Sequence, residues 1–153
     1  MRGFSRGAII FLSTGGGSGY APFMPGTAGT AVGVAVYVLF SFFTVPVYLF
    51  VTTAFVFLSI LVSHKAEQLF EKKDPPEVVI DEIAGYLVTM ATFPPDWIYM
   101  AAGFVFFRIM DIAKPYPAGL INSRTRGGMG IVLDDIVAGV YANLLLQAVR
   151  MIL

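Results

Sequence analysis

The sequence predicts an all-α, polytopic membrane protein. It should have about five membrane-embedded helices, a short interfacial or re-entrant segment at the N-terminus, and one domain covering residues 1–153. Three observations predict this. The chain is 57% hydrophobic and only 13% charged, where a soluble domain carries about 25% charged residues. Its apolar residues fall into long runs separated by proline pairs and one charged stretch. Its basic residues gather on one of the two sides that those runs define.

The elements follow in order. Arg2 and Arg6 precede a short apolar stretch, Ala8–Leu12, which Thr14–Gly19 interrupts at once. A signal peptide needs a longer apolar region, so this segment is expected to stay with the chain. The first run is Ala28–Phe43, closed by the turn Thr44-Val45-Pro46. The second is Pro46–Val62. Ser63–Lys73 should extend it into water as a charged helix until Pro75-Pro76 stops it. The third run, Val78–Phe93, ends at Pro94-Pro95-Asp96, a tight turn. The fourth and fifth are Trp97–Met110 and Ile136–Leu153. Several are shorter than the ~20 residues that a bilayer core requires, so each borrows from its flanks. The flanks hold the charges.

With the N-terminus on the cytoplasmic side and the runs alternating, that side receives Arg2, Arg6, Lys65, Lys72, Lys73, Arg108, Lys114, Arg124 and Arg126. The other side receives only Arg150. This asymmetry orients the protein by the preference of basic loops for the cytoplasm. Asp81 and Glu82 then start the third run, Arg108 and Asp111 end the fourth, and Asp134 and Asp135 start the fifth. Thr27–Thr30 starts the first. All are expected in one layer at the cytoplasmic face.

Composition also excludes. There is no cysteine, hence no disulfide, thiolate metal site or cysteine nucleophile. One histidine, His64, rules out two-histidine phosphatase chemistry. Zero net charge gives no global attraction to nucleic acid.

The acidic pairs repeat a plan. Asp81-Glu82-Ile83-Ala84-Gly85-Tyr86 resembles Asp134-Asp135-Ile136-Val137-Ala138-Gly139-Val140-Tyr141, with one residue inserted. On a helix Gly85 shares a face with Asp81, and Gly139 with Asp135, which leaves room for a neighbouring helix or a ligand. Acids at helix N-termini also favour the dipole by ~0.3–1 kcal/mol each. Adjacent carboxylates near hydrocarbon repel, however, and two pairs in one layer call for cations between them. Hard oxygen ligands of this kind suit Mg²⁺ with a phosphate. Arg108, Asp111 and Lys114, at i, i+3 and i+6, form one stripe if the helix persists to Pro115. They make either a surface ion-pair ladder or a phosphate-binding pair with a carboxylate that orients the arginine or joins the metal. The segment Gly17–Thr30, rich in glycine and proline, runs into a helix N-terminus that can offer N–H groups to an anion. Arg124–Gly130 is a topology marker, or a loop able to fold over a ligand.

Four segments in order carry a resemblance. They are Pro25-Gly26-Thr27-Ala28-Gly29-Thr30, Asp81-Glu82-Ile83-Ala84-Gly85, Phe107-Arg108-Ile109-Met110-Asp111-Ile112-Ala113-Lys114-Pro115-Tyr116-Pro117, and Gly127–Gly139 with its Asp134-Asp135. Together they resemble the phosphatidylglycerophosphatase A family. The resemblance implies a bacterial inner-membrane, Mg²⁺-dependent phosphatase that converts phosphatidylglycerophosphate to phosphatidylglycerol at the cytoplasmic face. Mapped onto this chain, it implies Asp81, Glu82, Asp134 and Asp135 as metal ligands and, with Asp111, the catalytic set. It implies Arg108, Lys114, Gly26, Thr27 and Thr30 as substrate contacts. Whether water attacks directly or a carboxylate forms a phospho-enzyme stays open at this level. The competing reading is a small cation channel or transporter, which places acids at mid-membrane depth on several helices. A CDP-alcohol phosphotransferase would need a D-G-x₂-A-R pattern, absent here. A purely structural subunit needs no such concentration of polar groups.

Overall fold

The computed structural model describes residues 5–152, so Arg2 and Leu153 lie outside the described residues. Helices α1 (Arg6–Ser13), α2 (Pro25–Phe40), α3 (Val45–Phe70), α4 (Ile80–Thr89), α5 (Trp97–Ala113), α6 (Ala118–Arg124) and α7 (Gly128–Ile152) follow in order, with a 3₁₀ turn at Ser18–Tyr20. No strand occurs among the described residues.

The expectation of five spanning helices is corrected. Two helices, α3 and α7, are long and apolar enough to cross a membrane by length and composition. α2 has 16 residues and α5 has 17. The largest departure is α4, with ten residues. At 1.5 Å per residue it is about 15 Å long, half of a ~30 Å hydrocarbon core. Hydropathy ran 78–93 together because it counts apolar side chains without regard to backbone. The helix stops at Thr89, and the chain then turns through Met90–Phe93, with Thr92 at φ 70°. α7 departs the other way. It starts at Gly128, so Asp134 and Asp135 lie in its second turn and not at its beginning. α3 does extend past Val62 as one helix, ending at Phe70 before Pro75-Pro76.

α4 is the centre of the fold. α2, α3, α5 and α7 pack around it, and Ile80, Ile83, Ala84, Tyr86 and Leu87 are buried. The outer surface is the opposite, with Phe50 at 73% and Phe57 at 65% exposure on α3. An apolar surface of that kind marks contact with lipid or protein.

A helix that ends inside apolar surroundings leaves carbonyls without donors. Here side chains supply them. The Tyr48 hydroxyl donates to Leu87 O at 2.6 Å. Asn143 Nδ2 on α7 donates to Thr89 O at 2.8 Å and to Ala91 O at 2.9 Å. The Tyr37 hydroxyl donates to Phe93 O at 2.9 Å. Tyr37 also meets the rings of Tyr48 and Tyr86 edge-on, with centroids 6.2 and 6.3 Å apart. Such aromatic pairs prefer this geometry.

The repeated glycines find their use where α4 crosses α7. A Cβ at Gly85 would lie 2.5 Å from Phe107 Cε2 and 2.8 Å from Asp135 O. Gly139 faces the Gly85 backbone in turn. The gap beside each carboxylate is therefore filled by the partner helix. The close crossing fixes the acids of α4 relative to those of α7.

Replacing Asn143 by leucine should cost about 1–3 kcal/mol, because two partly buried carbonyls lose their donor. A lower thermal unfolding midpoint of the purified protein is the expected result. An unchanged midpoint would show that the α4 end is satisfied in some other way.

Candidate active site at the N-terminus of the buried helix

Asp81 and Glu82 occupy the first turn of α4, and Asp135 approaches them from α7. Asp81 is 6% and Asp135 3% exposed. One carboxylate oxygen from each of the three lies within 4.8 Å of the others. Asp81 Oδ1 and Glu82 Oε2 are buried and accept no hydrogen bond among the described residues. Three carboxylates this close repel one another and lose hydration, a combination relieved by a nearby cation or by uptake of a proton. The donor set, all oxygen and all anionic, suits a hard divalent cation.

Cationic groups stand on the facing wall. Arg108, on the last turns of α5, pairs with Asp111 through Nη1. Its buried Nε has no acceptor among the described residues. The expected Arg108–Asp111–Lys114 stripe is broken at its end. α5 stops at Ala113, Lys114 turns left-handed at φ 42°, and its ammonium reaches across to Asp134 of α7. Burial by itself would lower the Lys114 pKa. The hydrogen bond to Asp134, with the charges of Asp135 and Asp111, outweighs burial and raises it above the ordinary lysine value. Lys114 therefore stays a cation. Asp111 lines the same cavity beside Arg108.

These groups line one cavity of about 360 Å³, together with Met24, Pro25 and Gly26 at the start of α2. A Cβ at Gly26 would sit 2.5 Å from Glu82 Oε1 and 2.9 Å from Arg108 Nη1. A larger residue here would have to push the Glu82 or Arg108 side-chain end aside, and a helix N-terminus favours an anion.

The sequence-predicted residues thus divide. Gly26, Asp81, Glu82, Arg108, Asp111, Lys114, Asp134 and Asp135 all line the cavity. Asp134 pairs with Lys114 and stands outside the three-carboxylate cluster. Thr27 and Thr30 do not line the cavity. Thr30 is buried, and its hydroxyl donates to Gly26 O at 2.8 Å, so it braces the first turn of α2. Arg124, Arg126 and His64 are also absent from the lining. His64 meets Gln68 at 3.2 Å on α3. The sequence reading missed Asp74, Pro75 and Pro76, which form a wall between α3 and α4. Asp74-Pro75-Pro76 read as a helix stop, and a helix stop carries no information about which way the loop folds.

A family model described as phosphatidylglycerophosphatase A matches residues 11–150, which include every residue named for this cavity. The chain belongs to the phosphatidylglycerophosphatase A family. It is 37% identical over 132 residues to phosphatidylglycerophosphatase A of Escherichia coli K12, covering 86% of this chain and 77% of that one. It is 32% identical over 147 residues to the Haemophilus influenzae protein of the same name, covering 93% and 88%. A Bacteroides thetaiotaomicron protein provisionally named as a phosphatidylinositol-3-phosphatase is 34% identical over 153 residues, with 94% of each chain covered. No solved structure gives a significant match. Membership of the phosphatidylglycerophosphatase A family makes the chain an enzyme, a phosphatase.

Gly26→Ala tests the closeness of α2 to the site. The added methyl must displace Glu82 or Arg108, and a shift of about 1 Å in a reacting group can cost ~100-fold in rate. Loss of phosphatase activity with an unchanged melting midpoint is the expected result. Retention of near-normal activity would mean that the start of α2 does not shape the site.

Proposed function

We propose that the protein hydrolyses the terminal phosphomonoester of phosphatidylglycerophosphate to give phosphatidylglycerol. We place the reaction with Mg²⁺ at the cytoplasmic face of a bacterial inner membrane, in a multi-pass chain. The observation that carries this reading is the three-carboxylate cluster of Asp81, Glu82 and Asp135 facing Arg108 and Lys114 across one cavity.

The residues fit the metal. Asp81 Oδ1 and Glu82 Oε2 are buried and accept no hydrogen bond among the described residues, so each has lone pairs to offer a cation. Asp81, Glu82 and Asp135 would hold Mg²⁺, with Asp111 and Asp134 beside them. Bound there, Mg²⁺ supplies the charge neutralisation and Lewis acidity that phosphoryl transfer uses.

The chain's own groups do the rest. Arg108 offers its uncommitted Nε–H to a phosphate oxygen, and planar guanidinium groups suit that task. Asp111 holds Arg108 by its Nη1 and so sets the plane of the guanidinium. Asp134 holds Lys114 at the opposite side, where the ammonium meets the charge that grows on the phosphate. The N–H groups opening α2 complete the anion site. The carboxylates lie in one layer at one end of the bundle, beside basic groups, whereas an ion path would spread them along the membrane normal. We place that layer at the cytoplasmic face because the basic residues Arg108 and Lys114 line it, and basic groups favour that side.

Detergent-purified protein should release phosphate from phosphatidylglycerophosphate with Mg²⁺ and stop on addition of EDTA. Phosphatidic acid, phosphatidylinositol-3-phosphate and a soluble phosphomonoester, run alongside, measure headgroup choice. Release that is insensitive to EDTA would overturn the metal assignment, and faster release from the inositol lipid would overturn the substrate. Glu82→Gln and Asp135→Asn should each lower kcat more than ~100-fold with the fold retained. Near-normal rates in both would remove the carboxylate cluster from the mechanism.

A further inference from the structure

A second concavity lies on the far side of the wall that carries Asp111 and Lys114. It is a groove of about 260 Å³ between α5 and α7, walled by Met110, Pro115, Tyr141, Leu144 and Leu145. We propose that this groove receives one acyl chain of the lipid substrate, so that the lipid reaches the phosphate site laterally through the α5–α7 face. The inference rests on the lipid-phosphatase reading above and adds where the diacylglycerol end is held.

Continuity with the site supports that occupant. Met110 immediately precedes Asp111, and Pro115 immediately follows Lys114, so one short segment presents polar groups to the cavity and apolar ones to the groove. On α7, Asp134, Tyr141 and Leu145 stand at i, i+7 and i+11, which is one stripe of the helix. The stripe begins at the carboxylate that grips Lys114 and continues as groove wall. From Asp134 to Leu145 is eleven residues, about 16 Å along the axis. That distance runs from headgroup depth to about the middle of a ~30 Å hydrocarbon core. The Tyr141 hydroxyl donates to Tyr116 O at 2.7 Å. With its polar end satisfied, the ring can serve as an apolar wall. The exposed face of α3 offers no such link to the cavity. Its Phe50 and Phe57 are exposed, but they line no part of the polar site.

The test has two arms on the full-length protein. In the first, protein in phosphatidylcholine vesicles is photolabelled with a phosphatidic acid carrying a diazirine midway along one acyl chain. Labelling should concentrate on 110–115 and 141–145 over Phe50 and Phe57, and unlabelled phosphatidylglycerophosphate should compete it away. Equal labelling of the α3 face, or labelling that does not respond to competitor, overturns the proposal. In the second arm, Leu145→Trp fills the groove, and Leu144→Trp serves if that variant melts early. KM for the dioleoyl lipid should rise about 10-fold, the effect of excluding roughly two methylenes. kcat, and hydrolysis of the deacylated water-soluble headgroup, should not change. Unchanged KM for the lipid, or an equal fall on both substrates, overturns it. If wild type releases phosphate from neither substrate, the phosphatase reading has failed, and the labelling arm still decides the groove.

Discussion

The structure depends on a helix too short for its surroundings. α4 has ten residues, begins with two acids and ends among apolar side chains. Both ends need partners, because backbone and charged groups are costly where water is excluded. At the C-terminal end Tyr37, Tyr48 and Asn143 provide donors from three other helices or their flanks. At the N-terminal end the need is for positive charge, and it is met by Arg108 and Lys114 and by room for a cation. The same shortness that makes α4 awkward as a spanning element makes it suitable as a pedestal. It places two carboxylates against the surrounding helices instead of at an exposed helix tip.

The remaining elements serve that placement. The α4–α7 crossing at Gly85 and Gly139 brings Asp135 to the pair on α4. The break of α5 at Lys114 releases one cation from the α5 stripe and lets it meet α7, while Arg108 stays paired within α5. The left-handed turn at Met24 and the small Gly26 bring the N-terminus of α2 against Glu82 and Arg108. Four separate helices thus contribute to one cluster in which acids outnumber bases, and none could hold it alone. Removing one partner of such a buried set strands the others, so its members act as a unit.

The geometry also sorts the two kinds of surface that a lipid enzyme needs. A polar cavity and an apolar groove share the segment 110–115 as a common wall. A molecule with a phosphate at one end and hydrocarbon at the other fits that division. An ion or a soluble phosphate ester would use only half of it.

Much of this is legible in the amino-acid sequence. Seven charged residues that line the cavity were readable because acids and bases in an apolar chain are scarce, and scarce charges near hydrocarbon must be matched. Helical character, the breaks at proline pairs and the clustering of polar groups at one end follow from the same local chemistry. The sequence did not reveal that 78–93 holds a half-length helix and a buried turn, because hydropathy records which side chains avoid water and not where a backbone stops. It did not reveal that Asp134 goes to Lys114 while Asp135 joins the metal-type cluster, since adjacent residues on a helix differ by about 100° and only the packed neighbour selects between them. Nor did it show Thr30 turning inward or Asp74-Pro75-Pro76 closing a wall. By itself, then, the sequence determined which residue types must be neutralised and that they stand beside the apolar runs. Tertiary structure decided which group meets which, because pairing across helices depends on the crossing at two glycines and on where α5 ends, and neither is a local property.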